Sequence, residues 1–193
     1  MTEIKIVTLV GSLRRDSYNR QLARALQRLA PPEVSFIDAE IRDLPLYNQD
    51  DDANQAEPVL RLKEQISTAH GVLIVTPEYN RSIPGVLKNA IDHASRPPGK
   101  SAWRGKVAGI IGISPGSMGT AMAQQHLRNV LSAVDVAVMR LPEGYIHATE
   151  GMFGADGLPG GDTAKFLQKW MAAYVDWIKA HQFNAGTFGG VEG

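Results

Sequence analysis

Cysteine is absent from all 193 residues, which excludes disulfides, thiol nucleophiles and thiolate-held zinc or iron–sulfur centres. An excess of one charge sign is also lacking. The 20 Lys and Arg balance 20 Asp and Glu without a basic block, so the field that draws proteins to nucleic acid is missing and no nucleic-acid partner is expected. Apolar runs are too short to span a membrane. The run Ile4 to Val10 follows acidic Glu3 and precedes Arg14-Arg15. Those flanks are wrong for a secretory leader, so the run is read as a first strand, with a cytoplasmic location and no membrane partner expected. His70, His93, His126, His147 and His181 are scattered without an H-E-x-x-H pattern, and no metal site is expected. Serine-hydrolase chemistry is not expected either.

What remains is an ordinary globular composition, 44% hydrophobic, sized for one domain. Short β-branched runs alternate with helical patterns along the chain. Strands are expected at Ile4–Val10, Val34–Ile37, Gly71–Val75, Val107–Ile113 and Val134–Met139. Helices are expected at Asn19–Ala30, Val59–Ala69, Pro84–Ala94, Gly119–Leu131 and Ala164–His181. Residues 39–57, with Pro45 and Asp50-Asp51-Asp52, read as a long polar connection. Alternating β and α elements argue a doubly wound parallel sheet. A single domain over residues 1–183 is expected, followed by a Gly-rich flexible tail over 184–193, which holds four glycines.

In such a sheet the loops after the first, third and fourth strands meet at the carboxyl edge. Here they are Gly11–Asn19, Pro77–Gly85 and Ser114–Gly119. The first holds Ser12, Arg14, Ser17 and Asn19 beside a helix start, where free N–H groups and the helix dipole suit an anion; helix capping by Ser17 or Asn19 is the plainer alternative. The fingerprint G-x-G-x-x-G does not follow the first strand, and G-x-x-x-x-G-K-[ST] does not occur. One phosphate held by side chains and a helix start therefore fits a mononucleotide better than a dinucleotide. The second loop is stiffened by Pro77 and Pro84. The third, Ser114-Pro115-Gly116-Ser117-Met118-Gly119, has glycines that permit close backbone approach to a ligand.

Pro77–Asp92 reads P-E-Y-N-x-S-x-P-G-x-L-K-N-A-I-D and Gly11–Asn19 reads G-S-x-R-x-x-S-x-N. Both resemble signatures of the NADPH-dependent FMN reductases, and the resemblance runs from Ile4 to about Pro142. It implies a flavodoxin-like α/β fold, a doubly wound five-stranded parallel sheet of order 2-1-3-4-5 with helices on both faces. It also implies FMN bound non-covalently, NADPH or NADH as co-substrate, and a small-molecule acceptor that is quinone-like, azo, chromate or flavin. Hydride would pass through the flavin in a ping-pong cycle, with flavin N5 carrying the chemistry and no catalytic side chain. Ser12, Arg14, Ser17 and Asn19 would lie at the phosphate. Pro77, Glu78, Tyr79, Asn80 and Ser82 would lie along the ring, with Ser114 and Gly116 near its pyrimidine end. A homodimer or homotetramer is implied, with Arg128 and Glu143 at positions that lie near a subunit contact in chromate-reducing relatives.

Two other classes remain open at this level. One is a flavodoxin-like electron carrier or FMN-binding module without NAD(P)H turnover, against which the zero net charge argues mildly. The other is a flavin-free α/β domain whose loops bind a different phosphorylated ligand.

Overall fold

The computed structural model describes residues 3–185, with side chains as far as His181. Every residue of β3 (Gly71–Val75) is buried, as are all but the last of β4 (Val107–Ser114). Strands this apolar must be covered on both faces. β1 (Ile4–Val10) lies beside β3, and β2 (Val34–Asp38) takes the outer edge. All pairings are parallel, and the order β2-β1-β3-β4-β5 is that of a flavodoxin-like sheet.

The helices divide between the two faces. α1 (Tyr18–Arg28) and α5 (Gly161–Ala185) contribute Leu22, Leu26, Trp170, Tyr174 and Ile178 to one core. α2 (Glu57–Thr68), α3 (Gly85–Ala94) and α4 (Ala121–Ala133) contribute Leu62, Ile66, Leu87, Ile91, Leu127 and Leu131 to the other, with Trp103 among them. The Trp103 indole donates to the Ile91 carbonyl at 3.0 Å, tying the entry of β4 to α3.

Tyr174 reaches the sheet only because Gly71 and Gly109 lack side chains. A Cβ at Gly109 would lie 2.8 Å from the Tyr174 ring, and one at Gly71 would lie 2.7 Å from its hydroxyl. Full burial holds the Tyr174 phenol far above its ordinary value of 10.0. Folded protein therefore keeps this phenol neutral where the unfolded chain ionises it. Its contribution to stability is complete below the ordinary value and is lost above it, at about 1.4 kcal/mol per pH unit. Tyr174→Phe is expected to flatten the fall in stability between about pH 10 and 11 in urea titrations. Parallel falls in mutant and parent would assign the alkaline loss to other groups.

The far edge departs from the sequence expectation. Only β5 (Ala137–Val138) of the expected Val134–Met139 strand pairs with β4. The chain then leaves the sheet around Pro142, which has no N–H to offer a ladder. It returns as β6 (Gly144–His147), pairing with Ile111–Ser114 further along β4. The fifth position is thus filled by two pieces, and among the described residues the sheet has six strands. Gly144 is required at the return, since a Cβ there would meet Ile111 at 2.4 Å. Pro84, expected as the first helical residue, is instead the N-cap of α3. α5 starts three residues before the expected Ala164 and continues past His181. The tail expected from residue 184 begins inside this helix, and residues 186–193 lie outside the described residues.

Candidate functional site

Ser17 is the N-cap of α1, its hydroxyl accepting from the Arg20 amide at 3.3 Å. The capping alternative for Ser17 thus describes its oxygen, while its hydroxyl proton is still available to a ligand. Asn19 does not cap. Its amide nitrogen donates to the Ile113 carbonyl at 2.8 Å and its oxygen accepts from the Ile113 N–H at 3.1 Å. One side chain thereby pins the start of α1 to the end of β4. Arg14 is exposed, with its guanidinium 5.9 Å from the centre of the Tyr18 ring.

Beyond the Gly11 amide, which donates to Val75, the loop shows an unusual run of donors. Among the described residues, no backbone N–H from Ser12 to Asn19 has a protein partner. Ser12, Ser17 and Asn19 are nevertheless buried. Buried N–H groups are nearly always satisfied, so the unpartnered amides of these three buried residues, at a helix start, are chemically fitted to an anion.

The second loop doubles back on itself. Tyr79 and Ser82 exchange backbone hydrogen bonds, both 3.0 Å, around Asn80 and Arg81 at φ 52° and 62°. Both central residues are left-handed, as in a type I′ turn. This commits the Tyr79 amide internally, while the Glu78 and Asn80 amides beside it have no protein partner among the described residues and Pro77 has none to offer. The Glu78 carboxylate accepts from the Ala123 amide at 3.0 Å and so caps α4, whose own N-cap Thr120 makes no such bond. A carboxylate at a helix N-terminus also meets the favourable end of the dipole. The Ser82 hydroxyl pairs with His126 of α4 at 3.1 Å. The side chains of Glu78 and Ser82 are therefore turned toward α4, while Tyr79 is half exposed.

At the third loop, Ser114 donates its hydroxyl to the Gly119 carbonyl and closes the turn. Gly112-Ile113-Ser114-Pro115-Gly116 carries the letters G-x-S-x-G. Yet Ser114 still belongs to β4, its hydroxyl is held by Gly119, and the ring opposite it, His147, is bonded to the Gly116 carbonyl at 3.1 Å. A nucleophile elbow needs its serine free at a strained strand-to-helix turn beside a base, and this serine is neither. Gly116 is open: a Cβ would find only the Ser114 hydroxyl, at 3.6 Å. The three loops form one edge. The Gly11 amide donates to Val75, the Thr76 amide to Ile111, and the Ala148 amide to Ser114.

Several contributors escape a reading of sequence alone. Asn89 of the K-N-A-I-D stretch accepts from the Tyr47 amide and donates to the Pro45 carbonyl, both at 2.8 Å, and buried His93 binds that same carbonyl at 2.9 Å. The connection expected to be merely polar is thus strapped to α3. Gln124, fully buried, links Thr120 to the Gly144 carbonyl and so joins α4 to β6. Arg128 donates to the Met139 carbonyl at 3.0 Å. Burial, then the neighbouring Glu143 carboxylate, raise the Tyr145 phenol above its ordinary value. Gln124 belongs to no motif, and the motif that holds Asn89 does not say what it binds; only the fold supplies their partners.

A profile of the family described as NADPH-dependent FMN reductase matches residues 4–151. A 2-hydroxy-1,4-benzoquinone reductase from a Burkholderia species is 52% identical over 177 residues, covering 91% of this chain and 97% of that protein. A quinone reductase from Pseudomonas putida is 43% identical over 178 residues, covering 92% and 96% respectively. Among solved structures, the flavoenzyme NAD(P)H:(acceptor) oxidoreductase FerB from Paracoccus denitrificans superposes with a TM-score of 0.89 at 48% identity, covering 92% of this chain and 98% of its own.

Proposed function

The chain belongs to the NADPH-dependent FMN reductase family, and on that basis we propose that it holds FMN and uses NAD(P)H to reduce small quinone-type acceptors. The observation that carries the reading is the run of unpartnered, partly buried N–H groups from Ser12 to Asn19 at the start of α1. A dianionic phosphate monoester fits such a run, because fixed dipoles stabilise it without reorganisation. Ser12 and Ser17 would add hydroxyl donors, Arg14 a charge-assisted contact, and Asn19 the one amide hydrogen not given to Ile113. When bound, FMN supplies a two-electron carrier that accepts hydride from NAD(P)H and passes reducing equivalents to the acceptor in a ping-pong cycle.

The protein's own part in this reading is to hold and orient. The Glu78 and Asn80 amides would serve as donors to the flavin ring, on a loop made stiff by Pro77, by the Tyr79–Ser82 bonds and by the Glu78 cap on α4. Gly116 leaves room for a ring to lie close to backbone. Tyr79 lies half exposed at the mouth, where it can cover a planar acceptor. A mouth this open selects acceptors by shape and polarity only weakly, which suits quinone, azo, chromate or flavin substrates alike.

The purified protein is expected to be yellow and to bleach with about one equivalent of NADPH under anaerobic conditions. Steady-state plots of NADPH against several quinones should give parallel lines, as a substituted-enzyme cycle requires. A yellow protein that NADPH and NADH leave oxidised would support the electron-carrier alternative instead. A colourless protein that takes up no added FMN would overturn the reading altogether.

A further inference from the structure

We propose that Arg42, with Arg20, is a positioning residue that sets the phosphate loop and thereby its preference for FMN over riboflavin; this rests on the phosphate reading above. Arg42 lies outside that loop, on the connection after β2. Its guanidinium donates to the Leu13 carbonyl at 2.8 Å. From the other side, Arg20 of α1 reaches the Ser12 carbonyl at 3.5 Å. Two successive carbonyls of the first loop are therefore held by arginines.

Planarity of the peptide gives this arrangement a consequence. Among the described residues the cis bonds are Arg96–Pro97 and Leu141–Pro142, so both loop peptides are trans. In a trans peptide the N–H points opposite to the C=O. Holding the Ser12 and Leu13 carbonyls toward Arg20 and Arg42 turns the Leu13 and Arg14 amides away from those guanidiniums. These are two of the unpartnered donors proposed to receive phosphate. Without Arg42 the Leu13–Arg14 peptide is free to flip, which would replace a donor by a carbonyl oxygen facing the anion.

Arg42 stands on a rigid base, which positioning requires. The Ala39 amide extends the β1–β2 ladder to the Thr8 carbonyl at 2.9 Å, and Ile41 is buried in the core. The Arg42 amide donates to Glu40 at 2.9 Å. One residue further on, Asp43 takes both oxygens to Arg61 of α2, each at 2.9 Å. A cavity of about 100 Å³ lies behind the loop, lined by Ser12, Leu13, Arg20, Arg24 and Glu40 among others. Arg24 carries the same charge there without any hydrogen bond to the loop carbonyls, and it serves as the electrostatic control.

The test is flavin binding, not turnover. The full chain is stripped of flavin, and FMN and riboflavin affinities are measured by fluorescence quenching for the parent, Arg42→Ala, Arg24→Ala and Arg14→Ala. Arg42→Ala is expected to weaken FMN about three- to tenfold, the worth of one hydrogen bond of about 1 kcal/mol, while riboflavin affinity stays unchanged. Arg24→Ala should keep the parent's preference. An equal loss in Arg24→Ala would show a general charge effect and overturn the positioning role. So would an unchanged preference in Arg42→Ala alongside a reduced one in Arg14→Ala. An unchanged preference in Arg14→Ala as well would count against the phosphate reading itself, so the two failures are distinguishable.

Discussion

Gly112→Ala is expected to destabilise the protein by about 3 kcal/mol or more, at the upper end of what an added methylene does to a packed interior. The added carbon would lie 2.2 Å from the Thr76 carbonyl oxygen and 2.3 Å from the Thr120 hydroxyl, well inside the 3.0 Å that real Cβ atoms respect. Neither neighbour can yield easily. Thr76 is bonded through its amide to Ile111 and through its hydroxyl to the Pro77 carbonyl, and both threonines are fully buried. Interiors at crystal-like density transmit such strain instead of absorbing it.

The strain would travel to the site. Thr76 opens the loop carrying Pro77 to Asn80, and Thr120 is the N-cap of the helix that Glu78 caps. Flavin affinity and thermal stability should therefore fall together, the melting temperature by roughly 6–12 °C for a chain of this length. Gly116→Ala is the matched comparison, since a Cβ there meets nothing closer than 3.6 Å. Its melting temperature should stay near the parent's, so any loss of flavin affinity would report a ligand contact. A Gly112→Ala protein that melts with the parent would refute the close packing of Gly112 beneath the two loops.

How far the sequence foretold this depends on the kind of interaction. β1 and β3 were legible to the residue because a mainly apolar run, unbroken in β3 and interrupted only by Lys5 and Thr8 in β1, needs burial wherever it lies. β6 was not. Gly144-Tyr145-Ile146-His147 has two apolar residues and no periodicity, and it becomes a strand because β4 presents an unpaired edge to it. The loops were legible as a group because glycine, proline and short polar residues cluster after three strands. The destinations of their side chains were not. Glu78 was expected near a ring edge and its carboxylate caps α4; Arg42 lay in a connection with no motif and reaches the first loop. Such contacts join residues 29 to 94 positions apart, a separation that local pattern does not encode.

Asn19 shows the same lesson with the second largest expected effect. At the carboxyl edge β3 and β4 diverge: their last paired residues are Val75 and Ile111, and Thr76 adds one amide bond to the Ile111 carbonyl. Ile113 is then left with an N–H and a C=O facing the gap. The Asn19 carboxamide, itself a peptide-like donor and acceptor, fills the place of the next rung with bonds of 3.1 and 2.8 Å. Ile113 is fully buried and Asn19 nearly so, so water cannot easily replace either bond. Asn19→Ala removes two hydrogen bonds and orphans two buried backbone groups, for an expected loss of about 3 kcal/mol. That is a fall of roughly 6–12 °C in melting temperature, seen in flavin-free protein as clearly as in flavin-bound protein. FMN and riboflavin affinities should both weaken, because the start of α1 loosens as a unit, and FMN should lose somewhat more through the amide hydrogen proposed to reach its phosphate. A phosphate ligand and nothing more would behave otherwise, with flavin-free melting unchanged and FMN alone weakened. That outcome would remove Asn19 from the frame of the sheet and return it to the cofactor.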